Sequence, residues 1–372
     1  MNIIVLSVFY SLVLILVGIF SWGFVDANMP IRTVPLLYEF VVLLRPWAAV
    51  SYVALQALLF VGYILFLYQI YRKRMLLKHV IVLMSVSAAI LLFSFPGFSY
   101  DVFNYIATAK ITFLYRENPY LIMPIDIPNE PMLRFLHASN KVALYGPVWI
   151  ALTGVPYILG FNNLLLTIGM FKLFAAAFYV GVLSLVWKRS KSAFSVAFFG
   201  LNPLVLIETL GSGHNDIVMM FFALLSFELI ARKRWYWSLV ALLASILIKF
   251  ATVFLLPVYV VTFAMVVQGK PIRWESVWRW CAIVMYMIFF LSPIREEIYA
   301  WYLLWPLTFV ALGSPWSWLQ ITTLGFAFGL PLRFAPFVYH RNWGGVTPLT
   351  KKLVTFIPPA VFMGLYAAHK KK

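Results

Sequence analysis

A chain of 372 residues that is 63% hydrophobic and 18% aromatic, with a mean hydropathy of +0.92, excludes a soluble globular protein. Apolar runs of about 16 to 25 residues recur from end to end, each long enough to cross a hydrocarbon core of about 30 Å, and their continuity rather than alternation excludes a membrane β-barrel. The formal charge of +17 does not call for nucleic acid, because the basic residues fall in short interhelical loops as the positive-inside rule requires.

Inside lipid the backbone must satisfy its own hydrogen bonds. The expected fold is therefore an all-α polytopic membrane protein, one integral domain over 1–372. The single cysteine, Cys281, excludes a disulfide framework and a cysteine-ligated metal site.

In chain order, the segment 3–24 has no basic n-region and no small-residue cleavage site, so it reads as a retained span. A second span is expected over 48–70, and the basic cluster YRKRMLLK at 71–78 then faces the cytoplasm. A third span over 79–95 runs back out and completes the first unit, 1–95. Between Pro96 and Pro147 lies the only long stretch without a span, an external loop over 96–146 that holds Asp101, Glu117, Asp126 and Glu130. Loops of this length in a compact bundle are usually functional.

Next, YGPVWIALTGVPYILG at 145–160 reads as a half-helix or re-entrant piece, because a full crossing would turn KRSK (188–191) and RKR (232–234) outward. Spans follow over 163–187, 192–210, 216–231, 235–250, 252–268 and 275–292. That register keeps KPIRWE (270–275) inside and leaves GSGHND (211–216) and REEIYAWY (295–302) on the side of Asp101. A hairpin at 300–331 and a last span over 353–369 fit less well, since they place Arg333, Arg341, Lys351 and Lys352 outside. The sum is about eleven to thirteen spans.

Within the loop, Asp101, Asn104, Tyr105, Thr108 and Thr112 fall at i, i+3, i+4, i+7 and i+11, one polar stripe on a helix. Such a helix is expected to lie flat at the membrane interface and to turn Asp101 toward an external cavity. RENPY (116–120) reads as a turn. Asp101 has two compatible readings, a solvated N-cap and a chemical group. For ETLGSGHND (208–216) the choice lies between Asn215 or Asp216 capping the next helix and a polar group of Glu208, His214, Asn215 and Asp216 facing a cavity. His214 and Asp216 offer only two metal ligands, with no second histidine near. Lys249, at the outer end of its span, either snorkels or holds a phosphate. Arg295, Glu296, Glu297, Tyr299 and Tyr302 gather at the same outer surface.

A D-x-x-x-Y helix at 101–105, an NPY-x-x-x-P turn at 118–124, YGPVW at 145–149, NPL and GSGHND within 202–216, ILIKF and LLP within 246–257, and WYLLWP at 301–306 follow in order. Over roughly 80–310 this arrangement resembles the GT-C glycosyltransferases, integral membrane enzymes that take sugar from a polyprenyl-phosphate carrier. Within them it is most like the bacterial polyprenyl-phosphate-mannose-dependent α-mannosyltransferases. The resemblance implies inverting transfer of a sugar, mannose foremost, to a glycan or glycolipid acceptor on the extracytoplasmic side, with Asp101 as general base. It also implies that Lys249, Arg116, Lys110 and Arg295 are the candidates for the leaving phosphate. His214, Asn215 and Asp216 would line the sugar or acceptor pocket, and Tyr105 and Tyr120 would stack on a sugar. Asn104, Asn118, Tyr145, Tyr299 and Tyr302 complete the expected binding set.

A lipid-borne donor accounts for the lack of a Gly-rich phosphate loop and of any D-x-D triplet. No cofactor and no metal requirement are expected, and the host is expected to be a prokaryotic plasma membrane. The pattern departs from many relatives in placing two spans before the helix that leads into the acidic loop. Asp216, Glu117, Asp126, Glu296 and Glu297 therefore stay open as alternative bases. A transporter or lipid flippase would use the same polar groups, but would show inverted repeats, and none is evident. A non-catalytic scaffold would have no use for the external polar cluster.

Overall fold

A computed structural model describes residues 2–32, 34–294 and 297–370. All of its regular structure is helical, as the apolar runs dictate. Among the described residues, Ile3–Phe24, Arg45–Tyr71, Leu164–Ser190, Phe250–Val267, Trp274–Ile294 and Trp318–His340 are long and apolar enough to cross a membrane. Ala193–Gly200 and Pro203–Gly211 make a seventh span if counted together, bent by 52°. Leu77–Leu92, Pro147–Leu159, Trp235–Ile248 and Ala300–Val310 are shorter apolar helices. The expected eleven to thirteen spans thus include helices too short to cross alone: Trp235–Ile248 has 14 residues and rises about 21 Å, whereas Pro147–Leu159, with 13 residues, is short as a half-helix should be.

The spans sort their side chains radially. Tyr10, Phe66 and Val182 are fully buried, while Ile4, Leu12, Val61, Val180 and Val260 are each more than half exposed. On a soluble surface such a belt would drive aggregation; against acyl chains it is matched. At the centre, Leu206, Leu210, Ile217 and Val218 have no exposure at all.

One end of the bundle collects the basic loops. Buried Glu228 is ion-paired with Lys188, Arg189 and Arg232, the first and last at 2.6 Å, and Arg189 lies over the Trp274 ring. Tyr71, at the C-terminal end of Arg45–Tyr71, meets Phe194 and Trp316. Near the start of the same helix, Tyr52 donates to the Pro331 carbonyl at 2.7 Å and lines the large cavity described below. The cavity and the basic loops therefore sit at opposite ends.

The acidic loop is a folded unit. Its helix Asp101–Ala109 continues into a wide turn, Lys110–Leu114, and Lys110 reaches back to Glu130 at 2.6 Å. The helix turns Asp101 toward a cavity, as expected, but it is not the exposed helix that an interfacial position suggests. Val102, Phe103, Tyr105, Ile106 and Thr108 are all buried, because the helix packs on Pro147–Leu159 and Leu164–Ser190. The polar stripe is divided: Asp101 and Asn104 line the large cavity, while the Tyr105 ring meets Tyr145 at 4.9 Å and Trp149 at 5.0 Å, and its hydroxyl donates to Asn215 at 3.2 Å.

The tail keeps the expected outline and extends it. The hairpin 300–331 resolves into Ala300–Val310 and Trp318–Gly329, followed by Ala335–His340. The last helix runs over Thr347–Lys370 with Pro358 and Pro359 inside it. It presses against Trp318–Gly329 so closely that a methyl added at Gly329 would lie 2.1 Å from the Val354 carbonyl oxygen.

Candidate active site

Asp101 follows the turn Phe95–Pro96–Gly97 as the first residue of its helix, where a carboxylate suits the positive end of the helix dipole. It is not a cap: the capping position is Tyr100, with no side-chain bond, and the Asp101 amide bonds to Ser99 Oγ at 3.3 Å. Its carboxylate, 27% exposed, lies 3.5 Å from Nδ1 of fully buried His214. On the far side of the ring, Nε2 lies 3.1 Å from Glu208 Oε2. Both contacts are charge pairs; neither ring nitrogen is aligned for a hydrogen bond with a described residue.

The backbone that delivers this trio is irregular for a reason. Asn202 caps Pro203–Val205, the chain widens into a π-type turn over Leu206–Gly211, and Gly213 adopts φ +73°, a left-handed geometry that suits glycine. His214 thereby drops into the interior, stacked on Trp301 at 4.0 Å, which in turn stacks on Tyr299 at 4.6 Å. Burial opposes a charge on this ring, but the carboxylates of Asp101 and Glu208 outweigh it and raise the imidazole to about 9.

Asp101, Asn104, Glu208, Tyr299 and Trp301 share the wall of a cavity of about 810 Å³. The tail adds three cations to the lining: Arg333, Arg341 and Lys351. Glu297 ties two of these cations, at 2.7 Å from Arg333 and 2.5 Å from Lys351. Arg341 lies over Phe24 and donates to the Val41 carbonyl at 2.7 Å, while its Nε is buried with no partner among the described residues.

The remaining expected site residues lie elsewhere. Lys249 is 2.9 Å from buried Asp216, beneath the Tyr302 and Trp305 rings, and Trp305 donates to the same carboxylate at 2.6 Å. Neither Asp216 nor Asn215 caps the helix Asp216–Ala231 with its side chain. His214, Asn215 and Asp216 have no exposure, so they form a layer behind the cavity rather than its wall.

Lys110 is spent on Glu130 and borders a second cavity, of about 1050 Å³, beside Arg134 and Asn162. Arg116, with left-handed φ, and Asn118 sit on the exposed turn of the loop. There Asn118 accepts from the Tyr120 amide, and the Tyr120 hydroxyl donates to the Tyr145 carbonyl. Tyr145 and Asn104 share a small pocket beside the main one. Arg295 and Glu296 lie outside the described residues. No group of three His, Cys, Asp or Glu residues placed to hold a metal ion occurs among the described residues.

A family model described as alpha-(1->6)-mannopyranosyltransferase, N-terminal domain, matches residues 6–265. The chain belongs to this mannosyltransferase family. The alpha-(1->6)-mannopyranosyltransferase A of Mycobacterium tuberculosis is 29% identical over 141 residues, which cover 35% of this chain and 26% of that relative. No solved structure matches. The cations of the cavity wall, Arg333, Arg341 and Lys351, fall outside the family match. The one trace they left in the sequence was their place on the wrong side of a positive-inside count.

Proposed function

We propose that this mannosyltransferase-family protein moves mannose from a polyprenyl-phosphate carrier to a hydroxyl of a glycan or glycolipid on the extracytoplasmic side, with Asp101 as general base. The observation that carries the reading is one cavity lined both by the partly exposed carboxylate of Asp101 and by Arg333, Arg341 and Lys351. Asp101 takes the proton of the acceptor hydroxyl as its oxygen attacks the anomeric carbon. The bond from that carbon to the phosphate oxygen breaks on the opposite face, and polyprenyl phosphate departs with the electron pair. Inversion of this kind turns a β-linked donor into an α-linked product.

The main charge that develops is on the leaving phosphate, and fixed cations in a water-poor site stabilise it strongly. Arg333, Arg341 and Lys351 take that role here, because they line the cavity and Arg333 and Lys351 share the single carboxylate of Glu297, whereas Lys249 and Lys110 lie away from it, each paired with a carboxylate of its own. The apolar, outward-facing spans leave the carrier's tail in the bilayer while its head reaches the cavity. Metal-independent transfer belongs to the same reading, and EDTA should leave the rate unchanged.

The test is transfer by the purified protein in nanodiscs from a panel of polyprenyl-phosphate sugars, wild type beside Asp101→Asn. Mannose transfer by the wild type and loss in a folded Asp101→Asn protein support the reading. Full activity of Asp101→Asn removes Asp101 as base, and absence of transfer from every donor removes the reading itself.

A further inference from the structure

We propose that His214 is a positioning residue: its imidazolium holds one carboxylate oxygen of Asp101 from behind the cavity wall, braced by Glu208 and the Trp301 ring, and leaves the second oxygen for the acceptor hydroxyl. The inference rests on the reading of Asp101 as base. His214 is fully buried and lies outside the cavity wall, so it reaches substrate only through its neighbours. Asp101 and Glu208 do line the cavity, and the ring lies between them at 3.5 and 3.1 Å.

Two carboxylates on one wall repel each other, and a carboxylate without a fixed partner is free to turn. One shared imidazolium offsets the repulsion and fixes the orientation of the Asp101 carboxylate at the same time. The other titratable groups facing the trio supply no cation to Asp101. They are the phenols of Tyr52 toward Glu208 and of Tyr105 and Tyr145 toward Asp101, and the Lys172 stem beside Gly213. The Lys172 ammonium is taken up by the Leu91 carbonyl at 2.6 Å and by Ser94. Nearby Lys249 is taken up by Asp216. The unaligned geometry of the ring suits an unliganded enzyme, in which hydrogen bonds of the catalytic group tighten only once substrate is bound.

The experiment measures transfer from polyprenyl-phosphate mannose from about pH 5 to 10 for wild type, His214→Gln and Glu208→Gln. His214→Gln should lower kcat on the order of 10²-fold with the donor KM within about twofold. Its pH–rate profile should differ from that of the wild type, because the cation beside the base is gone. Glu208→Gln should lower kcat less, in a protein that keeps the ring. A raised KM with kcat and profile unchanged would make His214 a substrate contact and overturn the inference.

If His214→Gln does not fold, Glu208→Gln and the ¹⁵N shifts of the His214 ring in the wild-type chain decide. Both nitrogens protonated at pH 7.5 support the clamp, and a neutral ring removes it. A wild type without transfer activity defeats the functional reading, while the ring shifts still answer for the clamp.

Discussion

Asp101 does not hold its helix together, so its replacement reports on chemistry. Asp101→Asn should lower kcat by about 10²- to 10⁴-fold, the usual worth of a placed general base, in a protein that still elutes as a single folded species. In the same cavity, Arg341→Gln should raise the donor KM by about tenfold or more, the cost of a charge-assisted bond to phosphate. Steady-state kinetics with a soluble short-chain donor would show it.

The folded protein should also lose stability at both pH extremes, for different groups. His214 is raised from 6.5 to about 9; its contribution is complete below about 6.5 and disappears as the pH rises through about 9. For Glu130, burial alone would raise the carboxyl, but Lys110 and Tyr115 hold it below its ordinary 4.5. Its contribution is present above that value and is lost as the pH falls. Melting temperatures across the pH range check both signs.

Much at this scale was legible: Asp101, Glu208 and His214 stand out in the chain as ionisable groups beside apolar runs. Their division of labour was not, because which side chain meets the cavity and which lies behind it depends on a π-type turn and one left-handed glycine.

Elements carry the next set of consequences. The helices Trp318–Gly329 and Thr347–Lys370 meet through Gly325 and Gly329, one turn apart on one face, where small residues let helices approach in lipid. Gly329→Val should destabilise the fold by about 1–3 kcal/mol or more through overpacking, read as a lowered melting temperature in detergent. The loop is pinned by a buried pair, and Lys110→Met leaves Glu130 without its cation. A loss of about 3–5 kcal/mol is expected, appearing first as faster proteolysis within 116–145.

The sequence pattern located the helix 101–109 by its 3.6 period but misjudged its surroundings. A polar stripe looks the same whether it faces water or a Tyr–Trp–Asn lining, and only packing on two later helices decides. The tail was hard for a related reason: proline and glycine break Trp318–His340 into short pieces, so hydropathy alone gave one hairpin.

For the whole molecule, orientation follows from charge placement and is directly testable. Cys281 is buried, so a cysteine introduced on the surface is the one that an impermeant reagent reaches. Asn118→Cys should react in intact cells, and Lys191→Cys only after the membrane is opened. The reverse result would put the cavity in the cytoplasm.

The cavity also has a temporal side. Asp101 and Glu208 are both in the chain once residue 208 has been made, but Arg333, Arg341 and Lys351 are translated more than a hundred residues after Glu208. Glu297 waits for both of its cations until the helix Thr347–Lys370 docks. A nascent chain therefore carries the base long before it carries the cations, and shortening the protein before Lys351 should leave a half-built furrow that inserts into the bilayer yet holds no donor.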